Sequence, residues 1–159
     1  MLNKKGCIVM LNAKTLSLLM LSFGSMSNKK LQKICYYVYS WYLAIYGKKI
    51  ADIQFEAWVH GPVSKEIYNL YKKYGWNDIP YYEGFLAVDE EIIDFAEGIW
   101  GFYGKYSADE LEEISHNELP WTKARIGYSK YESSDRVLKD SDIYNYYKEK
   151  YLEYGHITC

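Results

Sequence analysis

Apolar residues recur every three or four positions along most of this chain, the spacing that gives a helix one apolar face. Leu16, Leu19, Met20 and Phe23 predict a first helix over Ala13 to Phe23, stopped by Gly24. Ser27 or Asn28 supplies the side-chain oxygen that caps a second helix, Lys29 to Tyr46. Its stripe is Leu31, Ile34, Cys35, Val38, Tyr42 and Ile45, with Lys29, Lys33, Tyr36 and Ser40 on another face and Gly47 closing it. The period then changes to two. Phe55, Ala57 and Val59 alternate with Glu56 and Trp58, which predicts a short strand over Gln54 to Val59.

Gly61-Pro62 breaks that strand and starts a third helix, since proline is tolerated in a first helical turn. Val63, Ile67, Leu70 and Tyr74 carry the helix to Gly75. Tyr81 to Val88 predicts a second strand, antiparallel to the first, forming a ribbon or wing. Glu90 to Tyr103 is a fourth helix. Ser107-Ala108-Asp109-Glu110 is a capping box that opens a fifth. Trp121 begins a further turn through Arg125, and 127–139 is polar loop. Ser141 or Asp142 caps a last helix through Tyr154. The expected fold class is therefore mainly α (α+β). It is a compact single-domain helical fold of about six helices with a small two-stranded antiparallel β-ribbon, spanning 13–159. Residues 1–12 read as an N-terminal extension, with Met10 as the natural start.

Length and composition agree: 159 residues, 49% apolar and 25% charged, are ordinary for one globular domain with a real core. The N-terminal run Thr15 to Phe23, after Lys4 and Lys5, imitates a signal peptide. Lys14 interrupts it, and it is too short to span a bilayer, so it reads as the first structural helix. Cysteines 7, 35 and 159 show no paired spacing, so a disulfide framework is not expected and a reducing, cytoplasmic setting fits. Nineteen tyrosines are the compositional anomaly. They follow either from AT-rich codon usage or from a sticky partner surface.

Candidate chemistry is sparse. A formal net charge of −2 lacks the basic excess of a nucleic-acid binder, despite the pairs Lys29-Lys30, Lys48-Lys49 and Lys72-Lys73. His60, His116 and His156 are too far apart for a metal set, so no metal and no cofactor is expected. Cys35 sits on an apolar stripe, where a thiol holds its proton and makes a poor nucleophile. The acids Asp89, Glu90, Glu91 and Asp94, and Asp109, Glu110, Glu112 and Glu113, lie at helix starts, where they complement the dipole. Gly98 and Gly101 form no phosphate loop. The expectation is a protein that is not an enzyme.

Three segments stand out instead: Leu31-Gln32-Lys33-Ile34-Cys35-Tyr36-Tyr37, Glu56-Ala57-Trp58-Val59-His60-Gly61-Pro62-Val63, and His116-Asn117-Glu118-Leu119-Pro120-Trp121-Thr122-Lys123-Ala124-Arg125. In this order and spacing they resemble the Panacea domain, the SocA-like antitoxin family of bacteria, phages and mobile elements. The resemblance runs from about Ala13 to Tyr154. It implies an antitoxin that neutralises a toxin by direct contact, with a toxin encoded next door as partner. One branch of the family delivers its toxin to a protease as an adaptor. Two alternatives are an inhibitor of a host defence protein, carried by a phage or mobile element, and a winged-helix DNA-binding regulator. The chain leaves no room for an appended helix-turn-helix region. Nucleic acid and membrane are not expected partners.

Lys29, Lys33, Tyr36, His60, His116, Trp121 and Arg125 are the candidate partner-binding residues. Trp, Tyr and Arg are the usual hot-spot types at protein interfaces. The competing reading of the last three is structural: His116 ending a helix, Trp121 anchoring the core, and Arg125 stacked on it.

Overall fold

One helix organises the architecture. Asn28–Tyr46 forms α2, capped at its start by the Ser27 hydroxyl, which accepts the Lys30 N–H, and ended by Gly47 in the left-handed conformation. In the computed structural model, which describes residues 10–157, ten consecutive α2 residues from Leu31 to Ser40 are buried. The spacing predicts one apolar stripe, but the helix is covered on every side. It packs against α1 (Ala13–Leu21), α3 (Lys65–Tyr71), α4 (Glu90–Tyr103), α5 (Ala108–His116) and α7 (Asp140–Ile157). Between Leu31 and Ser40 the helix has no solvent face, so Gln32, Lys33 and Ser40 are buried with its apolar residues.

Lys33 and Tyr36, placed by the spacing on a free face, are accordingly 1% and 0% exposed. Neither is at the surface. α6 (Leu119–Ala124) joins α5 to the rest by packing on α5 and α7. Seven α-helices are thus present among the described residues, with a 3-10 turn at Lys72–Tyr74 after α3. The chain is mainly α with a small β component, as the periodicities predict.

The strands differ from expectation. Glu56–Trp58 (β2) does form, but its partner is Gly61–Val63 (β3), two residues away. Gly61-Pro62-Val63 therefore ends a hairpin and does not start a helix; α3 begins at Lys65, capped by Ser64. No strand forms at 81–88. The other edge of this hairpin is already taken, because Ala57 N–H donates to Arg136 O and Leu138 N–H to Phe55 O. A second sheet, β1 (Met26–Ser27) with β4 (Asp78–Ile79), is too short to leave a periodic trace in sequence.

The apolar N-terminal run is α1, with Leu16, Leu19 and Met20 buried against the core. Leu11 and Asn12, read from sequence as extension, belong to the fold. Leu11 exchanges backbone bonds with Ile50 and Asp52, and the Asn12 side chain caps α1 at Thr15 N–H. The expected start at Met10 concerns residues 1–9, which lie outside the described residues, as do Cys7, Cys159 and the side chain of His156.

Six of the nineteen tyrosines are core material, and as many are exposed. Tyr36, Tyr37, Tyr39 and Tyr147 are fully buried, and Tyr37 stacks on Tyr103 with centroids 4.0 Å apart. A buried tyrosine needs a partner for its hydroxyl. Tyr39 donates to Asp140 at 2.6 Å. Tyr37 and Tyr147 donate to Glu118 at 2.6 and 3.1 Å, which ties α2 and α7 to the turn between α5 and α6. Burial pushes the Glu118 carboxyl up to about 7, against the two tyrosine hydroxyls that favour its charge.

The folded chain thus holds a proton that the unfolded chain releases near pH 4.5. Folding takes up that proton, so stability falls as pH rises from about 4.5 to 7, by at most about 1.4 kcal/mol per pH unit. Glu118→Gln should flatten this limb when urea midpoints are compared at pH 5, 6 and 7. An unchanged slope would contradict the assignment.

Candidate partner-binding surface around a clamped hairpin

The three sequence segments converge on the β2–β3 hairpin. Its register pairs Glu56 with Val63, Ala57 with Pro62 and Trp58 with Gly61, leaving Val59-His60 as the turn. Two strands this short are not stable alone. Alternate pairs in an antiparallel ladder exchange no hydrogen bonds, and Pro62, with no N–H, fits such a position. The backbone groups of the Ala57–Pro62 pair then point outward and need other partners. Each of them finds one. Lys33 Nζ donates to Pro62 O at 3.1 Å, Arg125 donates to Ala57 O at 2.8 Å, and Ala57 N–H donates to Arg136 O at 2.8 Å.

Two more side chains complete the clamp. Gln32 behaves like an added strand: Oε1 accepts Ser64 N–H at 2.9 Å while Nε2 donates to Ser64 O at 3.2 Å. Trp121 Nε1 donates to Trp58 O at 2.9 Å. Gly61 has φ +103°, and a Cβ there would lie 2.5 Å from Lys33 Cε and 2.8 Å from Ser115 Oγ. The glycine is what lets Lys33 pass beneath the hairpin.

Of the seven candidate residues, three therefore lie inside. Tyr36 is core, between Tyr37 and Phe55. Lys33 and Arg125 are internal clamps. Arg125 is 6% exposed and also donates to Ser129 O and Glu132 O, with its guanidinium over Trp121 and Tyr128. Direct contact with a partner requires exposure that these three lack.

The other four meet at the hairpin tip around Glu112 of α5. Its carboxylate pairs with Lys29 at 2.7 Å and His60 Nδ1 at 2.6 Å, with His116 Nε2 at 3.8 Å. Lys29 also pairs with Asp109 at 2.6 Å. His116 lies flat on Trp121, centroids 4.0 Å apart. Partial burial disfavours charge on Glu112, but Lys29 and His60 outweigh it and hold the carboxyl below its ordinary value. Lys29 likewise loses to burial but gains more from Asp109 and Glu112, and ends raised. Burial lowers His116 despite Glu112 beside it. The result is a polar, partly exposed surface of His60, Lys29, His116 and Trp121, beside a half-exposed Trp58 packed on Tyr68 at 5.1 Å.

Sequence reasoning passed over Glu112, Trp58 and Gln32 as site residues. Glu112 looked like helix-start charge; nothing local shows that a hairpin histidine reaches it. Gln32 carried a usable signal, an amide between core positions Leu31 and Ile34. No acidic, histidine and cysteine grouping able to hold a metal occurs among the described residues. No described helix is long and apolar enough to cross a membrane. Cys35 is fully buried and its thiol is pushed up by desolvation, which leaves it unreactive.

Residues 31–122 match the family described as antitoxin SocA-like, Panacea domain. The chain belongs to this family. The matched span opens at Leu31, beside Gln32 and Lys33, and closes just after Trp121. It therefore contains the hairpin and all of its side-chain clamps except Arg125. The Panacea-family span omits α1 and α7, both of which pack directly on α2. No curated protein and no solved structure matches the chain.

The clamp has measurable consequences. Gly61→Ala should cost at least about 2 kcal/mol of unfolding free energy in urea titrations, since it adds a steric clash to an unfavourable φ. Gly47→Ala, with φ +68° but open space around it, should cost only about 1 kcal/mol. Equal costs would mean that the Lys33 contact is unimportant. Burial drops Lys33 to about 7 from 10.5. The unfolded chain binds the extra proton between those values, so stability rises with pH from about 7 upward. Lys33→Met should remove that rise between pH 7 and 9.5, whatever it does to absolute stability.

Proposed function

We propose that this chain is an antitoxin-type binding protein that neutralises a toxin by direct contact, through the surface around the hairpin tip. Membership of the SocA-like Panacea family is the observation that carries the reading. The geometry of the hairpin tip supports the choice of surface. Trp58 and His60 sit on a hairpin whose backbone is fixed by Gln32, Lys33, Trp121 and Arg125, so little freedom remains to be lost on binding. Lys29, His116 and Trp121 flank them. Aromatic side chains on a rigid frame are a usual component of an interface centre.

A DNA-binding regulator has less support. The expected wing at 81–88 is not a strand, and the hairpin that forms is held between α2 and α6.

The test is co-expression. A toxic gene adjacent to this one should arrest growth alone and be tolerated with this protein, and the two products should co-purify. Trp58→Ala should weaken that complex by about thirtyfold, as a hot spot of about 2 kcal/mol does, without changing the circular dichroism spectrum. A neighbour that is harmless alone would remove the antitoxin reading.

A further inference from the structure

A cleft of about 440 Å³ runs between the hairpin, the first half of α2 and α3 with the turn that follows it. Its walls are aromatic. Trp58 and Tyr68 pack together at 5.1 Å, and Trp76 stands on the outer lip at 83% exposure. Its ionisable side chains are all basic: Lys29, Lys33, Lys72 and His60 line it, and no carboxylate does. This is unexpected in a chain with 21 acidic and 19 basic residues.

These four basic groups are not equivalent. Lys29 and His60 are already paired with Asp109 and Glu112. Lys33 and Lys72 form no ion pair among the described residues. Lys33 is 1% exposed, and its Nζ is hydrogen-bonded only to the Pro62 carbonyl. Lys72 is exposed. The exposed Lys72 on the rim, beside the rings of Trp58, Tyr68 and Trp76, makes a local positive site, and no carboxylate lines the cleft to offset it.

We infer that this cleft binds an extended segment of a protein partner through one acidic side chain flanked by apolar or aromatic residues. The acid pairs with Lys72, and its neighbours cover Trp58 and Trp76. Lys33, 1% exposed, has no surface to touch the ligand. The neighbouring surface limits the occupant to a single acidic position. Glu56 and Glu66 line the cleft on one side, and Asp109, Glu112 and Glu113 the cleft on the other. A nucleic-acid backbone laid across the site would bring phosphates against both groups. The inference deepens the binding role proposed above and rests on the protein being a protein binder.

The experiment uses a displayed library of random twelve-residue peptides, selected on the intact protein and counter-selected on Lys72→Glu. Enriched peptides should share an Asp or Glu next to an aromatic or aliphatic residue. A synthetic peptide from that set should lose at least tenfold in affinity against Lys72→Glu, Lys72→Gln or Trp58→Ala. It should lose as much when its own acid becomes the amide, and bind Lys48→Glu unchanged. Its affinity should fall with added salt. Enriched peptides without acids, peptides indifferent to Lys72, or no enrichment would each overturn the inference. So would Lys72-dependent binding of a twenty-nucleotide single strand in place of peptides. The two readings fail separately. Peptide binding without toxin rescue removes the antitoxin; rescue that survives Lys72→Glu and Trp58→Ala removes the cleft.

Discussion

A buried hairpin of two three-residue strands must satisfy backbone groups that no third strand can reach on one side. Much of this structure follows from that need. Ladder geometry points the Ala57 and Pro62 carbonyls away from the hairpin, into regions closed to water. An unsatisfied buried carbonyl costs about 1–3 kcal/mol, so donors have to come from elsewhere. They come from two helices: Gln32 and Lys33 on α2, Trp121 on α6, and Arg125 just beyond it. The same bonds fix the positions of α2 and α6 relative to the hairpin, and hence the surface at its tip.

Two cations do this work in different ways. Arg125 spreads its donors over three carbonyls and stacks on two rings, which compensates a group that stays charged. Lys33 has one carbonyl and a more complete burial, so its proton is held only to about pH 7. Glu118 is the acidic counterpart, held near neutral pH in a tyrosine shell on the other side of α2. The core is therefore polar in a few chosen places, each built around a hydroxyl, carbonyl or carboxylate that would otherwise be stranded. A buried polar network of this kind contributes more to a unique arrangement than to net stability.

The surface inherits this asymmetry. The acids of α5 face the hairpin turn and pair with Lys29 and His60, while the cleft toward α3 keeps two lysines that form no ion pair among the described residues, and three aromatic rings. The residues forming the clamp sit almost entirely within the span that defines the family.

The sequence by itself determined the helices whose ends carry local chemistry. α4 occupies Glu90–Tyr103 as its periodicity indicates, Ser107 closes a capping box with Glu110, and Gly47 ends α2. These signals live within four residues, where hydrogen bonds and steric limits act directly. Family membership was also legible, because the three segments stand in a recognisable order. Only the tertiary structure decided which polar residues are inside. Lys33, Tyr36 and Arg125 look like surface residues until α2 is enclosed on every side and a hairpin lies across it. Only tertiary structure, too, made a strand of Gly61-Pro62-Val63, since a proline strand is stable where the missing N–H faces no partner and a lysine from another helix takes the carbonyl. Helix ends are read from neighbours in sequence; burial and pairing are set by neighbours in space, which a local pattern does not contain.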